Sequence, residues 1–148
     1  MIRRKVNRGS PFQALMSKPD DSSPRPVSRC GARRVAIIGF GATGAAVLYE
    51  LVKQLVEPLA IDIYDADASK GRGLAYSTPF DCHVLNMRAH TMSLSPERSD
   101  EFADFAARQA SHVSEFPPRK LFGDYLDRSV DLSVATAEAA GATVQQIQ

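Results

Sequence analysis

The first sustained apolar run in the chain is Val35-Ala36-Ile37-Ile38, entered from Arg33-Arg34 and ended by Gly39. A short continuous run of this kind, rich in β-branched residues, marks a strand buried on both faces. From Ala42 the rhythm becomes helical, with Val47, Leu48, Leu51, Val52 and Leu55 on one stripe, Glu50, Lys53 and Gln54 opposite, and Pro58 as the stop. Leu59-Ala60-Ile61-Asp62-Ile63-Tyr64 then reads as a second strand ending at Asp65. Strand, glycine turn, helix and strand fit within the roughly thirty residues of a βαβ unit, a crossover that is right-handed almost without exception.

Past Asp65 the pattern loses its period. From Ala66 to about Ser95 the chain is rich in Gly, Ser, Thr, His and Pro, the look of a functional loop. Ser99 or Asp100 is placed to cap a helix with Phe102, Phe105 and Ala106 inward and acidic residues in its first turn. Pro117-Pro118 breaks the chain, and a further helix from Arg119 sets Leu121, Phe122, Tyr125 and Leu126 on one side, continues through an alanine-rich stretch and stops at Gly141. Thr143-Val144-Gln145-Gln146-Ile147 reads as the opening of a third strand. The four aromatics Phe102, Phe105, Phe122 and Tyr125 follow helix faces, so they are expected in the core rather than as a stacking platform.

The candidate chemistry lies where the first strand meets the first helix, in Gly39-Phe40-Gly41-Ala42-Thr43-Gly44. The first glycine permits a tight turn, the second lets the backbone approach a pyrophosphate, and the third lets the helix pack on the sheet. The helix then directs unpaired N–H groups and the positive end of its dipole at the anion. Asp65, at the end of the second strand, is placed to accept hydrogen bonds from ribose hydroxyls, and its charge disfavours a 2′-phosphate. Strand, motif, helix, strand and acid in this order point to a dinucleotide, but both FAD and NAD present an ADP moiety to such a unit.

Charge changes the picture only when the chain is divided. Residues 1–34 carry nine Lys/Arg against Asp20 and Asp21, so the net charge of +1 leaves a mildly acidic body, which argues against a nucleic-acid partner. The segment 1–33, basic and rich in Pro and Ser, is expected to be a disordered leader, with residues 34–148 forming the folded portion. It lacks the apolar core of a secretory signal, and no stretch approaches the ~20 apolar residues of a membrane span, so a cytoplasmic protein is expected. Cys30 and Cys82 show no metal-ligand spacing and are expected as reduced thiols; no metal site is assigned. His83, His90 and His112 form no arrangement that demands catalysis, and no catalytic residue is assigned.

Four spaced landmarks narrow the choice: Val35-Ala36-Ile37-Ile38-Gly39-Phe40-Gly41-Ala42-Thr43-Gly44, Gly71-Arg72-Gly73-Leu74-Ala75-Tyr76, Leu85-Asn86-Met87, and Pro118-Arg119-Lys120-Leu121-Phe122-Gly123-Asp124-Tyr125-Leu126. In these the chain resembles the amino-terminal part of the bacterial FAD/NAD(P)-binding protein family that includes flavin-dependent urate hydroxylase and aspartate N-monooxygenase. The resemblance implies an α/β, Rossmann-like, three-layer fold, here truncated after the first βαβ unit, two further helices and the start of a third strand. It implies that Gly39, Phe40, Gly41, Ala42, Thr43, Gly44 and Asp65 hold the ADP half of FAD, with NAD(P)H as electron donor in the full-length family. By the same resemblance the loop bearing Arg72 and Gly73 lies near the flavin side. There Arg72 is either a cation for the pyrophosphate or a solvated loop arginine, and Asn86 offers its amide to the flavin or to its own loop. Arg119 opens a helix where its charge opposes the dipole, which suggests an external anion or a salt bridge to Glu115 or Asp124. The family often carries a tryptophan near Phe105, a departure that keeps packing but loses an indole donor.

Three functions are therefore carried forward. The leading one is the FAD-binding segment, expected to be incomplete, of a flavin-dependent, monooxygenase-like oxidoreductase whose small-molecule substrate is not assigned. The others are a non-catalytic dinucleotide-binding subunit whose sheet is completed by a partner chain, and an NAD-binding dehydrogenase domain. The last requires regular βαβ repetition after Asp65.

Overall fold

A computed structural model describes residues 33–66, 70–109 and 114–148. The expected leader, with Cys30, lies outside the described residues except for Arg33, which already belongs to the first strand; His112 also lies outside them. Strand β1 (Arg33–Ile38) leads through the glycine turn into helix α1 (Ala42–Lys53), and strand β2 (Leu59–Tyr64) follows. The expected βαβ unit is present, and β1 and β2 are parallel with Val35 beside Ile61 and Ile37 beside Ile63. After β2 come the four-residue helix α2 (Gly73–Tyr76), a 3₁₀ turn (Ala89–Thr91), helix α3 (Glu101–Gln109), helix α4 (Arg119–Ala139) and strand β3 (Thr143–Ile147). Strand β3 pairs in parallel with β2, so the sheet order is β1-β2-β3 with β2 central.

This order dictates which face of the sheet is covered. Successive right-handed crossovers that step in one direction put their helices on one side. The pattern of burial agrees: Ile37, Ile61 and Ile63 share a core with Leu48 and Val52 of α1 and with Leu126 and Val130 of α4. Side chains alternate across a strand, so Ala36, Ile38 and Tyr64 point to the other face. There Ile38 is 78% exposed and Tyr64 40%. Asp62 on that face is nonetheless buried, with Arg34 Nε 3.3 Å from its Oδ2. The expectation that β1 is buried on both faces is therefore corrected among the described residues, where its cover is one-sided.

Helix α1 turns a slightly different face inward from the stripe read in the sequence. Gly44, Ala45, Leu48 and Val52 are buried, whereas Val47 is exposed, because two small residues rather than a large one let the helix approach the sheet. Helix α3 buries Phe102, Phe105 and Ala106 as expected, and the Asp100 carbonyl accepts the N–H of Asp104 at 2.9 Å. Phe102 meets Phe122 edge-on, with ring centroids 4.9 Å apart, and Tyr125 lies against both Phe102 and Phe105. Such edge contacts add about 0.5–1.5 kcal/mol each beyond area burial, and they fasten α3 to α4.

Gly141 ends α4 as the pattern predicts. At φ +84° it adopts the left-handed conformation, its N–H reaches Glu138 O, and the N–H of Ala142 reaches Ala137 O, both at 2.9 Å. These are the two bonds of a Schellman motif, and the buried Ala137 and Ala142 supply its apolar contact. The aperiodic region after Asp65 is not wholly irregular, since it holds α2 and the 3₁₀ turn. The crossover from β2 to β3 thus contains several helical pieces, and among the described residues it does not show the regular βαβ repetition demanded by a plain dehydrogenase domain.

Candidate functional site

At the carboxyl end of β1 the ladder continues one step past the strand, as the N–H of Gly39 donates to Tyr64 O at 2.8 Å. Gly39 then turns the chain at φ +83°. Gly41 is the N-cap of α1 in an extended conformation, and its carbonyl accepts the N–H of Ala45 at 2.9 Å, the first bond of the helix. The preceding N–H groups, those of Ala42, Thr43 and Gly44, thus come at the point where an α-helix has no intrahelical acceptors. The first turn carries no acidic side chain to compete with an anion. A Cβ on Gly44 would lie 2.4 Å from Gly39 O, so the absence of a side chain there is what lets the helix start directly against the end of β1.

Phe40 has a different role from its neighbours. The residue is buried to 1% exposure, so its side chain offers no surface to a ligand and serves the core. Ala42 is half-buried and Thr43 exposed.

Asp65 follows β2 directly, half-buried, with its N–H donated to Ile147 O at 3.1 Å. Together with Ile38, Gly39, Tyr64, Ala66, Ile147 and Gln148 it lines an open depression of about 410 Å³. The ends of all three parallel strands meet in this depression, where open α/β sheets bind their ligands. Its lining is largely apolar and carries one side-chain carboxylate, a fit for an adenosine whose ribose hydroxyls donate to Asp65. The adjacent helix N-terminus fits the pyrophosphate.

The second glycine loop is pressed against the first. Gly73, at φ +57°, has so little room that a Cβ on it would stand 3.0 Å from the Cα of Gly41, and a Cβ on Gly41 would meet Gly73 Cα at 3.6 Å. Space at Gly41 is thus limited by protein as well as by any phosphate. Gly71, at φ +90°, fits between Ala45 and Val130, whose side chains a Cβ would meet at 2.9 and 3.0 Å.

Between these glycines, Arg72 is neither a solvated loop arginine nor turned outward as a free cation. Its Nε and Nη2 donate to Asp127 Oδ2 at 2.9 and 2.6 Å, and Nη2 also donates to Asp124 Oδ1 at 2.7 Å. These bonds, Asp127's first, raise the guanidinium's pKa from its ordinary value. The reading of Arg72 as a pyrophosphate cation is accordingly weakened by the two carboxylates that already neutralise it.

Asn86 is exposed, and its amide has no hydrogen-bond partner among the described residues. Its segment is held through the main chain instead: Leu85 N–H donates to Pro117 O at 2.9 Å and Val84 bridges Pro118 in antiparallel fashion. Arg119 makes neither expected salt bridge, because Glu115 pairs with Arg88 and Asp124 with Arg72. Its Nε donates to Val84 O at 3.1 Å. The residues that sequence reasoning missed are Gly123 and Asp127. A glycine in a helix interior and two aspartates three apart on one face were the signals that pointed to them.

Parallel strands ending at a glycine turn, a helix N-terminus open to an anion and a carboxylate at the next strand's end define an α/β dinucleotide-binding protein. The chain belongs to the FAD-NAD(P)-binding family, whose model matches residues 36–148, a span that includes the glycine turn, Asp65 and the three downstream landmarks. Its cofactor is therefore a flavin or nicotinamide dinucleotide. Comparison with the curated proteins found no significant match. No helix among the described residues is long and apolar enough to cross a membrane.

Proposed function

We propose that this chain holds the ADP half of FAD and serves a flavin-dependent, monooxygenase-like oxidoreductase that takes electrons from NAD(P)H. The observation that carries the reading is the close approach of Gly73 to Gly41, which brings a second glycine loop to the turn expected to hold the pyrophosphate. A nicotinamide dinucleotide must exchange at each turnover, whereas a flavin stays bound, and a cradle with two loops suits the ligand that stays. The resemblance to the group containing flavin-dependent urate hydroxylase and aspartate N-monooxygenase supports the same choice. In this reading the N-terminus of α1 receives the pyrophosphate, Asp65 takes the ribose hydroxyls, and Gly41 and Gly73 put no side chain between the two loops. The bound flavin supplies the redox chemistry, while the protein's residues bind and orient it.

Titration of the purified chain with FAD, NAD and NADP tests this. FAD is expected to bind most tightly and to give the yellow flavin spectrum. Asp65→Ala is expected to weaken FAD by about tenfold, the loss of hydrogen bonds to a charged group, and to narrow the preference for NAD over NADP. A chain that stays colourless and binds NAD tightly but not FAD overturns the flavin assignment. A second reading, a non-catalytic dinucleotide-binding subunit whose sheet a partner chain completes, is favoured by the exposed Ile38 and Tyr64 on the outer sheet face. Light scattering of the purified chain with its candidate partners separates the two.

A further inference from the structure

Two of the spaced landmarks, far apart in sequence, are the two halves of one contact. Tyr76 of α2 meets Phe122 of α4 edge-on, with ring centroids 4.8 Å apart. Beside them Gly123 is buried, and a Cβ there would stand 2.5 Å from Tyr76 O and 2.9 Å from Arg72 Nη1. The missing side chain of Gly123 thus makes a seat in α4 for the α2 backbone and for the guanidinium. Asp124, the next residue, and Asp127, one turn on, close that seat, gripping Arg72 through three hydrogen bonds of 2.6–2.9 Å. On the loop's other side, Gly71 fits between Ala45 and Val130, and Gly73 rests on Gly41.

We infer that Arg72, Asp127 and Gly123 are positioning residues for the dinucleotide site: α4 grips the Gly71–Gly73 loop through Arg72 and so sets how closely that loop stands over the phosphate-binding turn. The inference rests on the reading of Gly39–Gly44 as a pyrophosphate turn. Arg72 acts here through the loop it fastens, not through its charge. One guanidinium between two carboxylates leaves the cluster with a net negative charge, which repels an anion. The grip is also anchored unevenly, since Asp127 Oδ2 takes both of that residue's bonds while its Oδ1 is buried without a hydrogen-bond partner among the described residues. An asparagine at 127 would keep the accepting oxygen and lose the charge.

The two roles for Arg72 predict opposite signs, which binding titrations on the purified chain read directly with ADP and adenosine as probes. If α4 positions the loop, Arg72→Ala and Asp127→Ala each weaken ADP about tenfold, the loss expected when a charge-assisted grip is removed. The double variant is then no worse than either single one, because both break the same contact. Asp127→Asn retains ADP affinity near the starting value, and adenosine binding is unchanged throughout, a split that general destabilisation would not produce. If Arg72 instead touches the pyrophosphate, Asp127→Ala releases the cation and leaves ADP binding unchanged or tighter, which overturns the inference. Should an alanine variant fail to fold, Arg72→Lys decides: a point charge still serves a phosphate but cannot fork across two carboxylates, so retained affinity overturns the inference and lost affinity supports it. ADP is common to FAD and NAD, so the outcome does not depend on which dinucleotide is bound. An unaltered chain that binds no ADP takes down the dinucleotide reading itself and this inference with it.

Discussion

The two glycine loops look alike in sequence and are built for different purposes. In Gly39–Gly44 one glycine turns the chain with open space around it, one caps a helix, and one removes a collision between helix and strand. In Gly71–Gly73 both glycines have positive φ and both are hemmed in by protein, by Ala45 and Val130 at one and by Gly41 at the other. The first loop is shaped by what the strand and helix need, and the N–H groups of Ala42, Thr43 and Gly44 that follow it have no intrahelical acceptors. The second is shaped by what it rests on. A glycine motif near a ligand site is therefore not by itself a ligand contact, and the neighbour a Cβ would strike tells the two kinds apart.

That distinction can be broken by substitution. Gly44→Val is expected to be the most damaging, because its Cβ would stand 2.4 Å from a backbone oxygen that cannot swing aside. A loss of about 3 kcal/mol in urea unfolding is expected from overpacking of this severity. Gly123→Ala follows at about 2 kcal/mol, since one of its two collisions is with the flexible end of Arg72 and the other with Tyr76 O. This variant should also weaken ADP, which links α4 to the first loop. Gly39→Ala is milder, at about 1 kcal/mol, since nothing lies within 4 Å and only its φ of +83° resists a side chain. If Gly39→Ala destabilises more than Gly44→Val in the same denaturation series, conformation and not space governs the first loop, and the comparison fails.

How much of this was legible in the sequence follows the length of each regular piece. Strands β1 and β2 and helices α1, α3 and α4 repeat their period often enough to be read, and β3 was recognisable from Thr143 to Ile147. The four-residue α2 and the 3₁₀ turn are too short to display one. The Val47 error came from weighing large apolar residues over small ones: Gly44 and Ala45 add little hydrophobicity yet mark the line of closest approach. The place of the glycine turn between β1 and α1 and of Asp65 at the end of β2 was readable because their spacing is local. The partner of Arg72 was not, because Asp127 lies fifty-five positions away and no period connects a loop to a helix face.

The same helix fastens another loop by hydrogen bonds that do not involve the glycine turn, and this gives the comparison its smallest test. Tyr125 accepts the N–H of Leu94 at 3.0 Å and donates to Glu101 Oε2 at 3.2 Å. Burial first, and then the Glu101 carboxylate, push its pKa up, against hydrogen bonds to Ser93 and Leu94 that lower it. A phenol whose folded-state pKa is raised stabilises the fold below its unfolded pKa of about 10, and that contribution is lost as pH rises through the folded value. Tyr125→Phe is therefore expected to cost about 1 kcal/mol near neutral pH, and the gap from the unaltered chain should shrink above about pH 10. Its ADP affinity should not change, since Tyr125 fastens Leu94 and not the Gly71–Gly73 loop. A gap that widens at alkaline pH would mean the phenolate is stabilised in the folded state. An ADP loss matching that of Gly123→Ala would mean that α4 acts on the site as a whole, not through the seat that holds Arg72.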